Sequence, residues 1–339
     1  MTKRRHEAIS FVDLPVGLVP DGLIMLAEVG SRAHGTWLPK EDPNSIDDVD
    51  LMGVFVGPIE AYLGFGRQET YERKFGDYGV FDCVSYDVRH FISLLMKSNP
   101  NVLGTIWMSR EHVIASSPFA ELLIENRKIF ATKYAYKSFA GYASAQLHRM
   151  THFDGPARRK MMEIEAELER RHIPLNYTPE ELLEARKNLY RERGSLKGGE
   201  KESDRPYIHV DGATLLMDYR QMCNKYTSGY MGKKRRELVD TFGYDTKNAA
   251  HLIRLLTMAI EFLNEGELYV DRTGRDADTL IAIKRGEWTL EQVKQRAEEL
   301  FALAKIARDK SPLPEEPNRE AAEALCVEII SRYHGVTFK

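Results

Sequence analysis

Two carboxylates spaced two residues apart, Asp48 and Asp50, lead into the apolar run Leu51-Met52-Gly53-Val54-Phe55-Val56, and upstream a second apolar segment, 22–29, ends in Gly30-Ser31. Side chains alternate faces along a strand, so Asp48 and Asp50 project together while Asp47 points away. Val54 and Val56 extend the acidic face and Leu51, Gly53 and Phe55 the other, which predicts a strand covered on both sides. Two like charges on one face repel unless a cation lies between them. Mg²⁺, a hard ion that takes one or two carboxylates together with substrate phosphates, answers that requirement, as does Mn²⁺. At the preceding turn, Gly30 permits close backbone approach and Ser31 offers a hydroxyl and an N–H to a phosphate. Strand, Gly-Ser turn, loop and acidic strand in that order point to nucleotide chemistry.

A two-metal phosphoryl transfer calls for a third acid. Segments 69–75 and 80–86 alternate and are rich in aromatics, and Gly76-Asp77-Tyr78-Gly79 between them has hairpin-turn chemistry. Asp82 falls inside the second run, where an acid is disfavoured unless it has a partner. If that strand neighbours the acidic one, Asp82 completes the metal site. Asp87 reads as the N-cap of a helix over 88–97 with Val88, Phe91, Ile92 and Leu95 as its apolar stripe. Asn99-Pro100-Asn101 reads as the end of that helix.

Farther along, a helix from about Asp245 carries Lys247, His251 and Arg254 on one narrow stripe, while Leu252, Leu255, Leu256, Ala259, Ile260 and Leu263 are apolar. A helix apolar around most of its circumference is buried. Its basic stripe therefore faces either an internal acid, with Glu261 a candidate, or a wet cleft holding phosphate. Arg32, beside Ser31, pairs with substrate or with Asp47.

The Gly-Ser motif, the Asp-x-Asp strand running into Leu-Met-Gly-Val, the Asp-Val-Arg-His-Phe helix ending in Ser-Asn-Pro-Asn, and the stretch from Gly243 to Leu256 resemble the nucleotidyltransferases of the DNA polymerase beta superfamily. More narrowly they resemble the RNA repair pathway DNA polymerase beta family, over about Gly22 to Leu263. The resemblance implies transfer of an NMP from an NTP. It makes Asp48, Asp50 and Asp82 the metal-binding catalytic acids, with Asp82 activating the attacking hydroxyl. Gly30, Ser31, Arg32, Lys247, His251 and Arg254 become the nucleotide-binding set, and Asp47 departs from the serine common at that position. The expected acceptor is an RNA end, tRNA included. A protein acceptor (AMPylation) and a non-catalytic RNA-binding module are the alternatives.

The expected architecture is α+β: a nucleotidyltransferase-type mixed sheet core with flanking helices over 1–110 and a helical lobe over 111–339. Helical patterns occupy 117–130, 134–150, 157–171, 179–193, 213–226, 245–264, 289–309 and 318–333, the seventh opening with Thr289 and Gln292 in capping-box positions. Residues 194–206, rich in Gly, Lys, Glu and Ser, read as a mobile loop. With 339 residues, 43% hydrophobic and 29% charged, the chain has the composition of an ordinary globular protein with a sizeable core. Cys83, Cys223 and Cys326 have neither disulfide-framework nor zinc spacing. No apolar leader or membrane-length segment occurs, so the expectation is a cytoplasmic protein with no membrane partner. A formal net charge of −3 argues against a generally basic nucleic-acid-coating protein; among local patches Lys233-Lys234-Arg235-Arg236 is the best candidate for backbone contacts, with a solvated charge run as the alternative reading.

Overall fold

A computed structural model of the chain describes residues 9–39, 41–45, 49–65, 69–75, 81–151, 156–171, 173, 215–220 and 233–336. Asp47, Asp48, the 76–79 turn, the 179–193 helix and the 194–206 loop lie outside the described residues. The chain divides into two compact units, one of residues 1–150 and 245–339, the other of residues 151–244.

Five strands in the first unit, β1 (Leu23–Glu28), β2 (Val49–Phe55), β3 (Thr70–Phe75), β4 (Phe81–Asp87) and β5 (Val113–Ser116), form one mixed sheet. Their order is β3-β4-β2-β1-β5. β1 lies antiparallel to both β2 and β5, β3 antiparallel to β4, and β2 parallel to β4. The alternation read from the sequence holds: Val49, Leu51 and Cys83 pack with Leu18 and Leu26 in one core. On β2 every residue but Asp50 is buried. The β5 edge was not legible because four residues carry too little periodicity to register.

Helix α1 (Gly30–Ala33) follows β1 directly, and α2 (Ile59–Leu63) follows β2. Helix α3 (Val88–Met96) begins where β4 ends, with the Asp87 side chain accepting the Arg89 N–H and Val88, Phe91, Ile92 and Leu95 buried. The Asn-Pro-Asn segment is a correction. Rather than closing α3, it opens α4 (Pro100–Ile106): Asn99 accepts from the Asn101 and Val102 N–H groups and Pro100 takes the first turn. Proline's missing N–H costs nothing there, so the same tripeptide suits a helix start as well as a stop.

Helices α5 (Pro118–Glu125) and α6 (Tyr134–Thr151) come next. In the second unit, α7 (Pro156–Arg170) contributes Ile164 and Leu168 to a small core shared with Ile173 and Leu216, and α8 (Lys233–Phe242) starts at the basic run. The side chains of 233–236 lie outside what is described.

The chain then returns to the first unit through α9 (Thr246–Glu265), capped by Asp245, and α10 (Ala277–Lys284). Two further helices close the unit, α11 (Leu290–Lys310) with the full Thr289/Gln292 capping box, and α12 (Arg319–His334) capped by Asn318. A lobe boundary at 110 does not coincide with this division. The sheet shares one compact unit with everything from Asp245 onward. Specific contacts bind the two stretches: the Arg272 N–H donates to the His34 carbonyl at 3.2 Å, the Trp107 ring meets Phe262 edge-on, and His334 Nε2 donates to the Gly57 carbonyl at 3.0 Å. Among the described residues no helix is long and apolar enough to cross a membrane.

Candidate active site

The Gly-Ser turn and the acidic strand meet through Gly30. It has φ +68°, and a Cβ there would sit 2.1 Å from Asp50 Oδ2. Only glycine allows that approach together with the left-handed backbone. The Val29 N–H donates to the Asp50 carbonyl at 2.8 Å, so the turn that carries Ser31 is stitched to the strand that carries Asp50. Asp82 is the direct register partner of Asp50 in the parallel β2/β4 ladder. Neighbouring strands lie about 4.8 Å apart, which puts the two side chains on one face as neighbours.

Ser31, Asp50 and Asp82 line a single cavity of about 360 Å³, within the roughly 300–1,000 Å³ typical of small-ligand pockets. Met52, Val84 and Tyr86 continue the floor, two residues apart on the same faces of β2 and β4. Asn101 and Gly104 of α4 form part of the wall. Among the described residues no group of three or more His, Cys, Asp or Glu is arranged to hold a metal. Asp50 and Asp82 supply two hard oxygen donors in register. That set suits an ion that keeps waters and shares its coordination with phosphate oxygens.

The wall also carries basic side chains. Lys247, His251 and Arg254 line the same cavity, one turn apart along α9. Arg254 is 9% exposed, and among the described residues its guanidinium meets the Met258 sulfur at 3.2 Å and forms no ion pair. Burial, followed by the positive charge of Arg272, lowers its pKa to about 9, against the opposing pull of Asp276. Glu261, the candidate internal acid for the stripe, is held elsewhere: the fully buried Arg272 grips it with two nitrogens at 2.5 and 3.1 Å, and Arg275 adds a third contact at 3.1 Å. Arg272 Nε also donates to Asp276 at 2.6 Å. A buried guanidinium lining a cavity, with Glu261 held by Arg272 and Arg275, has the chemistry to receive an anion.

Two cavity residues were missed in the sequence. His34 donates from Nδ1 to the Val270 carbonyl at 2.8 Å, which leaves a lone pair on Nε2. Burial, then the charge of Arg254, holds its pKa well below the usual histidine value, so the ring is neutral at physiological pH. Lys284, the last residue of α10, donates from Nζ to the Thr36 carbonyl at 2.6 Å and to Thr36 Oγ1 at 3.2 Å. The Thr36 N–H in turn donates to the Ser31 carbonyl at 2.9 Å. Proximity of His34 to Ser31 in sequence was an available signal; nothing local marked Lys284.

Arg32 is not brought into the cavity lining. Its Nη1 lies 3.4 Å from Oε1 of Glu28, a buried acid whose Oε2 also meets His112 Nδ1 at 3.0 Å. Glu28 follows Leu26 on the opposite face of β1 from the cavity floor, so the Arg32 pair supports the turn from behind.

Serine at a glycine turn, an aspartate on the next strand and a second aspartate beside it now form one arrangement, and it lies inside a recognisable family segment. Residues 13–173 match the RNA repair pathway DNA polymerase beta family. This is a family of DNA polymerase beta-like nucleotidyltransferases named for RNA repair, and hence of enzymes. The match covers Ser31, Asp50 and Asp82 and ends before α9, so the basic stripe belongs to the part of the chain beyond the matched segment. No curated protein and no solved structure matches the chain.

Proposed function

We propose that this protein is a metal-dependent nucleotidyltransferase that moves an NMP from an NTP to an acceptor hydroxyl, with an RNA end, tRNA included, as the acceptor. The observation that carries the reading is the pairing, within one cavity, of two in-register carboxylates with Ser31 and the basic stripe Lys247, His251 and Arg254. Carboxylates gather metal and cations gather polyphosphate; a site that did only one would not need both.

In this reading Ser31 holds the triphosphate at the Gly30 turn, and Lys247, His251 and Arg254 take the charge of the pyrophosphate that leaves. The acceptor oxygen bonds to the α-phosphorus as the bond to the bridging oxygen of the β-phosphate breaks, and the hydroxyl proton passes to Asp82. Asp48 and Asp50, with Asp82 as the third donor, as expected from the sequence, would hold Mg²⁺ or Mn²⁺, which would lower the hydroxyl pKa and neutralise charge on the reacting phosphate. Neutral His34 offers Nε2 as a hydrogen-bond acceptor beside these cations and keeps the cavity's positive charge on Arg254 and the lysines.

The test is a transfer screen with α-labelled NTPs, Mg²⁺ or Mn²⁺, and a panel of tRNA, nicked RNA, single strands and total protein. Label is expected on an RNA, and Asp50→Asn lowers the rate by about a thousandfold or more, the size of several kcal/mol of transition-state stabilisation. Label on protein alone would redirect the acceptor assignment. No transfer to any acceptor, together with no nucleotide binding, would overturn the proposal.

A further inference from the structure

Lys74 faces Asp82 in direct register across the antiparallel β3/β4 ladder, just as Asp82 faces Asp50 across the parallel β2/β4 ladder. One row across three strands therefore reads Lys74, Asp82, Asp50, with all three side chains on the same face. Lys74 Nζ lies 2.5 Å from Asp82 Oδ2. The lysine belongs to the edge strand and its side chain is 73% exposed, against 31% for that of Asp82.

Anywhere else on a sheet edge this would be an ordinary surface ion pair. Here the carboxylate it engages lines the cavity beside a second carboxylate. Two acids in adjacent register repel each other unless a positive charge stands near. An ammonium is a compact, strongly hydrated point charge, and here it occupies Oδ2 of the carboxylate that would serve a divalent ion. Its grip is weak enough to be displaced, because an exposed pair is screened by water and restrains a flexible four-carbon stem.

We propose that Lys74 is the resident counter-ion of the third carboxylate: it neutralises Asp82 in the metal-free protein, gives it up when a divalent ion binds, and thereby sets the affinity for that ion. The proposal rests on the metal-dependent reading above and adds a residue to it.

Mn²⁺ titration of the full chain, followed by the EPR signal of the free ion, tests it in wild type, Lys74→Met, Asp82→Asn and the double variant, each shown folded by circular dichroism. Removing a positive charge from the edge of the site is expected to tighten Mn²⁺ binding about tenfold in Lys74→Met. Asp82→Asn weakens binding, and in that background Lys74→Met has no further effect, since the ammonium has lost the carboxylate it competes for. Unchanged or weaker binding in Lys74→Met overturns the role of Lys74 alone. So does equal tightening in both backgrounds, which is a diffuse charge effect. Failure of all four proteins to bind Mn²⁺ overturns the metal-dependent reading with it.

Discussion

Individual side chains at this site are set by what backs them. Gly30 lies against Asp50 because no side chain intervenes, Ser31 follows from Gly30, and Thr36 is held by Lys284 from 248 residues away in sequence. His34 is the residue whose chemistry reports most directly on this packing. In the native protein its ring stays neutral well below the ordinary histidine pKa, whereas the unfolded chain takes up a proton as pH falls through about 6.5. The unfolded state then binds more protons than the native state, so stability rises with pH in that window and is lost as pH falls below about 6.5. His34→Asn, whose Nδ2 replaces the donor to the Val270 carbonyl, is expected to flatten that loss. Urea unfolding of wild type and variant at pH 7.5 and 5.5 reads it directly.

At the scale of elements, α9 combines two requirements in one helix. Leu252, Leu255, Leu256, Ala259 and Leu263 are buried as the apolar pattern predicts, with Ile260 half-buried, and the same burial forces the basic stripe into the cavity. Burying a guanidinium without an ion-pair partner costs several kcal/mol per ion even after relaxation. Arg254 is thus expected to be a burden on the fold that ligand binding relieves. Arg254→Met should leave the melting temperature equal or higher while abolishing most of the stabilisation that wild type gains from inorganic tripolyphosphate. Thermal melts with and without that anion separate this outcome from a structural role, in which Arg254→Met would melt earlier in both. The strands tell a simpler story: alternation placed Asp50 with Met52, and Asp82 with Val84 and Tyr86, as soon as each strand had a face to bury.

Across the whole molecule, the boundary of the recognisable segment is not the boundary of a folded body. The family match ends at residue 173, while the unit that contains the sheet needs residues 245–339. Arg272, Lys284 and His334 all bond into the first 60 residues from that return segment. A fragment of residues 1–173 is therefore expected to lack cooperative unfolding and to show little near-ultraviolet circular dichroism, in contrast to the full chain.

The sequence by itself determined what depends on neighbours a few residues apart: the strand faces, the Asp87 and Thr289 caps, the stripe on α9, and the turn at Gly30-Ser31. Periodicity and side-chain reach operate locally, so these follow from residue order alone. Tertiary structure decided what depends on which strand lies beside which and on what returns from far along the chain. It brought Asp82 into register with Asp50, set Lys74 against Asp82, sent Arg32 to Glu28, and seated Lys284 under the Ser31 turn. Register across a hairpin and the docking of a distant helix are settled by burial of whole faces, and no short run of residues encodes that choice.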